Sequence, residues 1–249
     1  MPDSEHRGVK VASLTKAYGA LTVLDNISFT VAEGELLAFV GPTGCGKTTF
    51  LNCLAGLTAP TSGSIQIGGV PVDPGVHNLA YVLQEPTALP WLTVRENIAY
   101  GMRIKGLSGK IIAGRLERIL ALVGLSDMGA LYPNQISASM MQRVAVARAF
   151  AVEPDLLLMD EPYGQMDIKL RFYLEDELVR LWSTLKSTVL FVTHNIEEAV
   201  YIADRIIILT PKPTTIRSEI AVDLPRPRDV LSPEFLSIRR TVTDLIRWW

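Results

Sequence analysis

The spacing of apolar positions divides the chain into short runs whose period changes along its length. VKVASLT (9–15), NISFTVA (26–32) and ELLAFV (35–40) are β-branched or apolar stretches separated by Tyr18-Gly19 and Glu33-Gly34, which predicts three early strands. GKTTFLNCLAGL (46–57) has helical spacing, stops at Gly56 and is followed by Pro60. SGSIQIGG (62–69) and NLAYVLQ (78–84) predict two further strands. From about Thr93 to Phe150 the period is helical throughout, in VRENIAYGMRIKG, KIIAGRLERILALVGL and SMMQRVAVARAFA, which predicts an all-helical insertion. DLLLMDE (155–161) and STVLFVTH (187–194) then return as continuous apolar runs, the pattern of strands buried on both faces of a parallel sheet. Between them IKLRFYLEDELVRLWSTLK (168–186) reads as a long amphipathic helix, so strands alternate with helices in an α/β core. A proline-rich, charged tail from Pro225 ends in a helical pattern with Phe235, Ile238, Val242, Leu245 and Trp249 at three- and four-residue spacing. That stripe suits either a helix packed on its own domain or a contact with a partner.

Composition narrows the class. The 249 residues fit one large domain or one domain with an inserted subdomain. A formal charge of −2 gives no electrostatic reason to expect nucleic acid as a partner. No apolar stretch approaches the ~20 residues of a membrane-spanning helix, and MPDSEHRGVK lacks the apolar core of a signal peptide. Cys45 and Cys53 suggest no disulfide framework and fit a reducing cytosol, while His6, His77 and His194 are too scattered to hold a metal together.

The chemistry gathers at predicted strand ends. Gly41-Pro42-Thr43-Gly44-Cys45-Gly46-Lys47-Thr48 matches G-x-x-x-x-G-K-[ST], follows the strand LLAFV and opens a helix, as a phosphate-binding loop requires. Its glycines let the backbone wrap closely so that several N–H groups converge on a phosphate. Lys47 supplies charge to the terminal phosphates, and the Thr48 hydroxyl can ligate Mg²⁺. LLLMDEP (156–162) places Asp160 and Glu161 at the carboxyl end of a buried strand, where Asp160 can join the Mg²⁺ shell and Glu161 can polarise an attacking water. His194 ends another strand and suits a γ-phosphate contact, although Asn195 with Glu198 also reads as a helix capping box in which the histidine is incidental. Gln84 at the tip of NLAYVLQ can touch Mg²⁺ or the attacking water, or be a polar strand end. Tyr18, in an early turn, can stack on a purine base or be an edge aromatic.

In this order the elements resemble the ATP-binding subunit of an ABC transporter, over almost the whole chain. The resemblance implies a P-loop NTPase core with a mostly parallel sheet and an N-terminal antiparallel β part. Residues 1–92 and 151–224 would form that core, 93–150 the helical subdomain and 225–249 a tail helix. ATP and Mg²⁺ would be bound by Gly41–Thr49 with Tyr18, Asp160 and Gln84, and Glu161, His194 and Gln84 would serve catalysis. A family signature, conventionally LSGGQ, corresponds to ISASM (136–140), and its D-loop to Tyr163-Gly164-Gln165-Met166-Asp167. In the family, signature and D-loop complete the ATP site of the other subunit of a dimer, which assigns Ser137, Ala138, Ser139 and Asp167 to that contact. QEPTALPWLTVRENIAYG (84–101) is similar to nitrate/sulfonate/taurine-type importers, and Met140, Gln142 and Arg143 fit that subfamily's signature, LSGGM-x-QR. The implied partners are a membrane permease, a second ATP-binding subunit and, indirectly, a periplasmic or surface solute-binding protein. The implied location is peripheral, on the cytoplasmic face of the membrane.

Two departures matter. Ala138 and Ser139 replace both signature glycines, adding Cβ atoms where backbone approaches phosphate, and Ser137 is expected to be the one side-chain donor left at that corner. The D-loop reads GQMD in place of GALD. An active importer ATPase and a weakly hydrolytic partner in a heterodimer are therefore both open, with intact Lys47, Asp160, Glu161 and His194 favouring the first. DNA-repair or translation factors of the same superfamily are disfavoured by the single P-loop and by the lack of a coiled-coil insert, zinc cysteines and a basic face.

Overall fold

The computed structural model describes residues 8–85, 87–164, 166 and 168–246. Asp167, Gln165, His6 and Trp249 lie outside the described residues.

The chain opens with the strands β1 (Val9–Tyr18) and β2 (Leu21–Val31), an antiparallel hairpin whose two-residue turn has Gly19 at φ 59°. Both strands are longer than their apolar runs, so Tyr18 is the last residue of β1 and not part of the turn. Pairing with Leu21 extends the ladder through polar positions that alternate poorly. β4 (Ser62–Ile67) and the short β5 (Val70–Pro71) complete a four-stranded antiparallel sheet in the order β2-β1-β4-β5.

The second sheet holds β3 (Leu36–Val40), β6 (Leu79–Val82), β7 (Leu156–Asp160), β8 (Val189–Thr193), β9 (Arg205–Leu209) and β10 (Ile216–Ala221). Its order is β10-β9-β3-β8-β7-β6, parallel except for the antiparallel edge strand β10. β9 and β10 were not among the strands predicted from sequence. β3, β7 and β8 are buried at every position. Alternation along each of them feeds two cores. Leu37, Phe39, Leu158 and Val192 face the antiparallel sheet and α1 (Lys47–Leu54), where Phe29, Phe39 and Phe50 pack ring to ring. Leu36, Ala38, Val40, Leu157 and Phe191 face the remaining helices.

Those helices include α2 (Val94–Ile104), α3 (Gly109–Leu122) and α4 (Ala138–Ala151), which follow one another with no strand between β6 and β7 among the described residues. α2 starts where sequence expects it because Thr93 and Glu96 form a reciprocal capping box. Val94, Ile98, Leu120 and Phe150 share a single apolar cluster with the sheet, so the helical segment is packed against the core strands. α5 (Ile168–Leu185) runs from β7 to β8, and α6 (Ile196–Ile202) follows β8. α7 (Pro233–Ile246) buries Phe235, Val242 and Ile246 against its own chain, and Arg239 lies 3.5 Å from Glu197 of α6.

Arg226 and Arg228 fasten this tail to the end of α6. The buried Arg228 guanidinium donates to the carbonyls of Val200, Ala203 and Val222, while Arg226 bonds Asp204 and the Ile202 carbonyl and lies over the Trp182 ring. The Val200, Ile202 and Ala203 carbonyls are the orphan acceptors of the α6 C-terminus, met here by side-chain cations.

Candidate active site

Parallel strands deliver their carboxyl ends to one edge of the sheet, and the predicted chemical residues arrive there together. β3 leads into residues 41–46, a loop with Gly44 at φ 78° and Gly46 at φ 112°. Gly46 is obligatory on two counts: the left-handed backbone, and a Cβ that would lie 2.6 Å from Val23 Cγ1. It is also the N-cap of α1 and brings no side-chain acceptor, so the first N–H groups of the helix are available to an anion.

Lys47 is 6% exposed, and its ammonium is held on three sides: the Gly41 carbonyl at 2.9 Å, the Pro42 carbonyl at 3.1 Å and Glu161 Oε1 at 3.0 Å. Glu161 occupies the position just past β7 with φ 43°, a left-handed conformation that a non-glycine residue adopts at a cost of about 1–3 kcal/mol. Its other oxygen, Oε2, lies 2.8 Å from Nδ1 of His194, which stands half exposed at the end of β8. Burial pushes the Glu161 carboxyl up, but the hydrogen bond and charge of Lys47, aided by His194, outweigh it and hold the group below the ordinary range. Glu161 is therefore a carboxylate at neutral pH.

Beside it, the Thr48 hydroxyl donates to Asp160 Oδ2 at 2.7 Å. Burial dominates the Asp160 carboxyl and raises it, with the Thr48 bond and Lys47 working against the rise. Tyr81 on β6, which sequence reading did not single out, faces the same carboxylate. Its phenol is pushed up by burial and by the Asp160 charge, and its buried hydroxyl closes no hydrogen bond of normal geometry. An apolar-run strand containing one Tyr gave no local sign of this contact.

The remaining predictions fare unevenly. Thr49 lies half-buried in the first turn of α1, and Thr43 and Gly44 are exposed at the loop's outer side. Gln84 is not at a strand tip: β6 stops at Val82, and Gln84 is exposed in the bend beyond, hydrogen-bonded to neither Asp160 nor Glu161 among the described residues. Tyr18 is 52% exposed at the hairpin end, with the Lys16 ammonium 4.9 Å from its ring centroid. The capping box at residues 195–198 is only half made. Asn195 Oδ1 accepts from the Glu197 and Glu198 N–H groups at 3.0 and 3.4 Å, but the Glu198 carboxylate turns inward to the Thr193 hydroxyl instead of returning to Asn195. The Asn195 N–H is satisfied by Thr193 Oγ1 at 3.0 Å, which removes the demand for that return.

At the ISASM corner, Ser137 is the N-cap of α4 and its hydroxyl accepts from the Met140 N–H at 3.3 Å. Ala138 and Ser139 are the first two helical residues. Ser137 is not the only side-chain donor here, since the Ser139 hydroxyl lies 2.8 Å from Ser137 Oγ. Four residues beyond Ser139, Arg143 ties the helix to α5, with Nε 3.4 Å from Glu177 and its guanidinium 4.4 Å from the Tyr173 ring centroid.

A phosphate loop on a parallel sheet, with Asp and Glu at the end of one strand and His at the end of the next, defines a P-loop nucleotide hydrolase. The family model described as "ABC transporter" matches residues 24–164. The chain is 40% identical over 243 residues to an uncharacterized ABC transporter ATP-binding protein of Methanocaldococcus jannaschii, covering 96% of this chain and 91% of that one. It is 40% identical over 222 residues to the aliphatic sulfonates import ATP-binding protein SsuB of Bacillus subtilis, covering 89% and 86%. Among solved structures, a dimeric ATP-binding cassette in a post-hydrolysis state bound to ADP and Pi superposes with a TM-score of 0.74 at 29% identity, covering 87% of this chain and all of that one. The chain belongs to the ABC transporter family and is an ATPase of its ATP-binding cassette class. Among the described residues, no helix is long and apolar enough to cross a membrane.

Proposed function

We propose that this chain powers an importer of a small anionic solute such as a sulfonate, hydrolysing ATP in a dimer docked on the cytoplasmic side of a membrane permease. The observation that carries the hydrolytic part is the Lys47–Glu161–His194 relay beside the Thr48–Asp160 pair. The loop amides and Lys47 would receive the phosphates. Glu161, ionised and aimed by His194, would polarise the attacking water, and His194 would approach the γ-phosphate. One carboxylate and one hydroxyl 2.7 Å apart form an all-oxygen pair suited to Mg²⁺, which completes its shell with phosphate and water. When bound there, the ion would neutralise phosphate charge. Tyr18 would carry the base, and Gln84, exposed beyond β6, would sense occupancy from the loop leading to α2.

Importer and solute class are supported by the sulfonate-import relatives and by the LPW-LTV segment ahead of α2. A solute-binding protein on the other side of the membrane would complete such a system. Ser137, Ala138, Ser139 and Asp167 would face the ATP of the second subunit. The experiment is purification of the chain with its permease from its own membrane, followed by transport assays in vesicles with sulfonates, nitrate and bicarbonate. ATP-dependent uptake of one of them supports the reading. A complex that turns over ATP without moving any such solute overturns the solute class, and one without turnover overturns the importer role.

A further inference from the structure

The most buried polar contact made by the phosphate loop is with a residue 169 positions away. Thr214, in the loop between β9 and β10, is fully buried, and its hydroxyl donates to the Cys45 carbonyl. Its backbone is engaged as well: the Thr214 N–H donates to the Val23 carbonyl at 2.9 Å, and the Thr214 carbonyl accepts from the Asp25 N–H at 2.8 Å. The loop that presents it is closed on itself, with the Thr210 N–H on the Thr215 carbonyl at 3.0 Å and the Thr215 N–H on the Thr210 hydroxyl at 2.8 Å.

We propose that Thr214 is a positioning residue for nucleotide binding, one that fixes the direction of the Gly46 N–H in the phosphate loop. The inference rests on residues 41–48 being the nucleotide cradle. The Cys45 carbonyl and the Gly46 N–H belong to one planar trans peptide unit, so they point in opposite directions. Thr214 holds the carbonyl toward the protein interior, which aims the N–H away from it, toward the open side of the loop. That N–H donates to no backbone carbonyl among the described residues. The peptide is held against rotation on one side by Val23, whose Cγ1 fills the space a Gly46 Cβ would take. Val23 and Asp25 belong to the same hairpin as Tyr18, so Thr214 also ties the cradle to the strand pair that would carry the base.

Thr214→Val replaces the hydroxyl with a methyl group of similar size and leaves the Cys45 carbonyl buried and unpaired. Because the cradle serves both nucleotides, ADP and ATP affinity measured by calorimetry should each fall about tenfold, while kcat at saturating ATP stays within about twofold. Thr214→Ser, which restores the hydroxyl, should recover most of the affinity. A merely structural residue would lower the Tm of the nucleotide-free protein and leave both affinities and this rescue pattern unmoved. Affinities unchanged in folded Thr214→Val overturn the proposal. If that variant does not fold, the Gly46 amide resonance of the unaltered protein decides. A downfield shift on adding ADP supports the aim of this N–H at phosphate, and no shift overturns it. Lys47→Ala run in parallel separates the two layers. Lost binding there with normal binding in Thr214→Val removes only the positioning role, whereas normal binding in both removes the phosphate-loop reading itself.

Discussion

Nζ of Lys47 lies 3.0 Å from Oε1 of Glu161, so the cation expected to meet the terminal phosphates is paired with the carboxylate expected to polarise water. Both groups are largely buried, and such a pair offsets much of the cost of removing each charge from water. Phosphate oxygens would compete with Glu161 for the ammonium. A nucleotide arriving at the loop would thereby loosen the carboxylate from Lys47 while His194 continues to hold Oε2.

Lys47→Ala should abolish measurable ATP binding in calorimetry, a loss of at least about 100-fold, because both the point charge and the clamp on the Gly41 and Pro42 carbonyls disappear. It also leaves Glu161 buried without its cation, so the carboxyl should rise toward or above the ordinary range. ATP affinity within twofold of the parent would contradict the assignment of the loop.

The ISASM corner gives a second expectation. Changing Ala138 and Ser139 together to Gly removes two Cβ atoms and the Ser139 hydroxyl, and should raise ATP turnover several-fold at any site this corner completes. Ser137→Ala should lower turnover there and also cost about 1 kcal/mol as a lost N-cap. Ser139→Ala discriminates further, since a fall in turnover would make its hydroxyl a useful second donor 2.8 Å from the first. No response to any of the three would mean that the signature is idle in hydrolysis, and would favour the weakly hydrolytic partner.

Glu175 of α5 and Glu198 of α6 are both buried, and burial together with their mutual repulsion raises Glu175 to about 8; burial raises Glu198 to about 7. Arg171 opposes the rise at both, Asp176 and Glu197 add to it at Glu175, and the Thr193 hydroxyl opposes it at Glu198. The folded protein thus keeps protons that the unfolded chain releases above about 4.5. Stability is full below that pH and is lost as pH rises toward 7–8. Glu175→Gln should flatten this slope, gaining roughly 2 kcal/mol, or about 5 °C in Tm, over the parent at pH 8 relative to pH 5. Equal slopes in parent and variant would show that Glu175 is ionised throughout.

Much of this fold was legible because its determinants are local. Continuous apolar runs marked β3, β7 and β8, and glycine spacing marked the phosphate loop. Thr93 with Glu96 closed a helix start where the period changes. What escaped were features set by distant partners. RIIIL (205–209), beside β3, is the exception, an apolar run as local as those of β3, β7 and β8, but with no turn glycine to separate it from α6. Tyr81 facing Asp160, Thr214 under Cys45 and Arg228 on the carbonyls after α6 are pairings across 25 to 169 positions, which no periodicity records. The capping box at Asn195 is half made for a local reason, because the Thr193 hydroxyl two residues earlier takes both groups the motif would have joined. The placement of Gln84 erred by two residues: β6 pairs with β7 only as far as Val82 with Met159, although β7 itself runs on to Asp160.

The most direct measurement is the single-turnover hydrolysis rate of Glu161→Gln, taken alongside its ATP affinity. The amide keeps the shape that sits between Lys47 and His194 but lacks the charge that polarises water. Hydrolysis should be slower by at least about 100-fold, with ATP still bound as well as in the parent. A Glu161→Gln protein that binds ATP and hydrolyses it at near the parent rate would contradict it, and the attacking water would have to be polarised by another group.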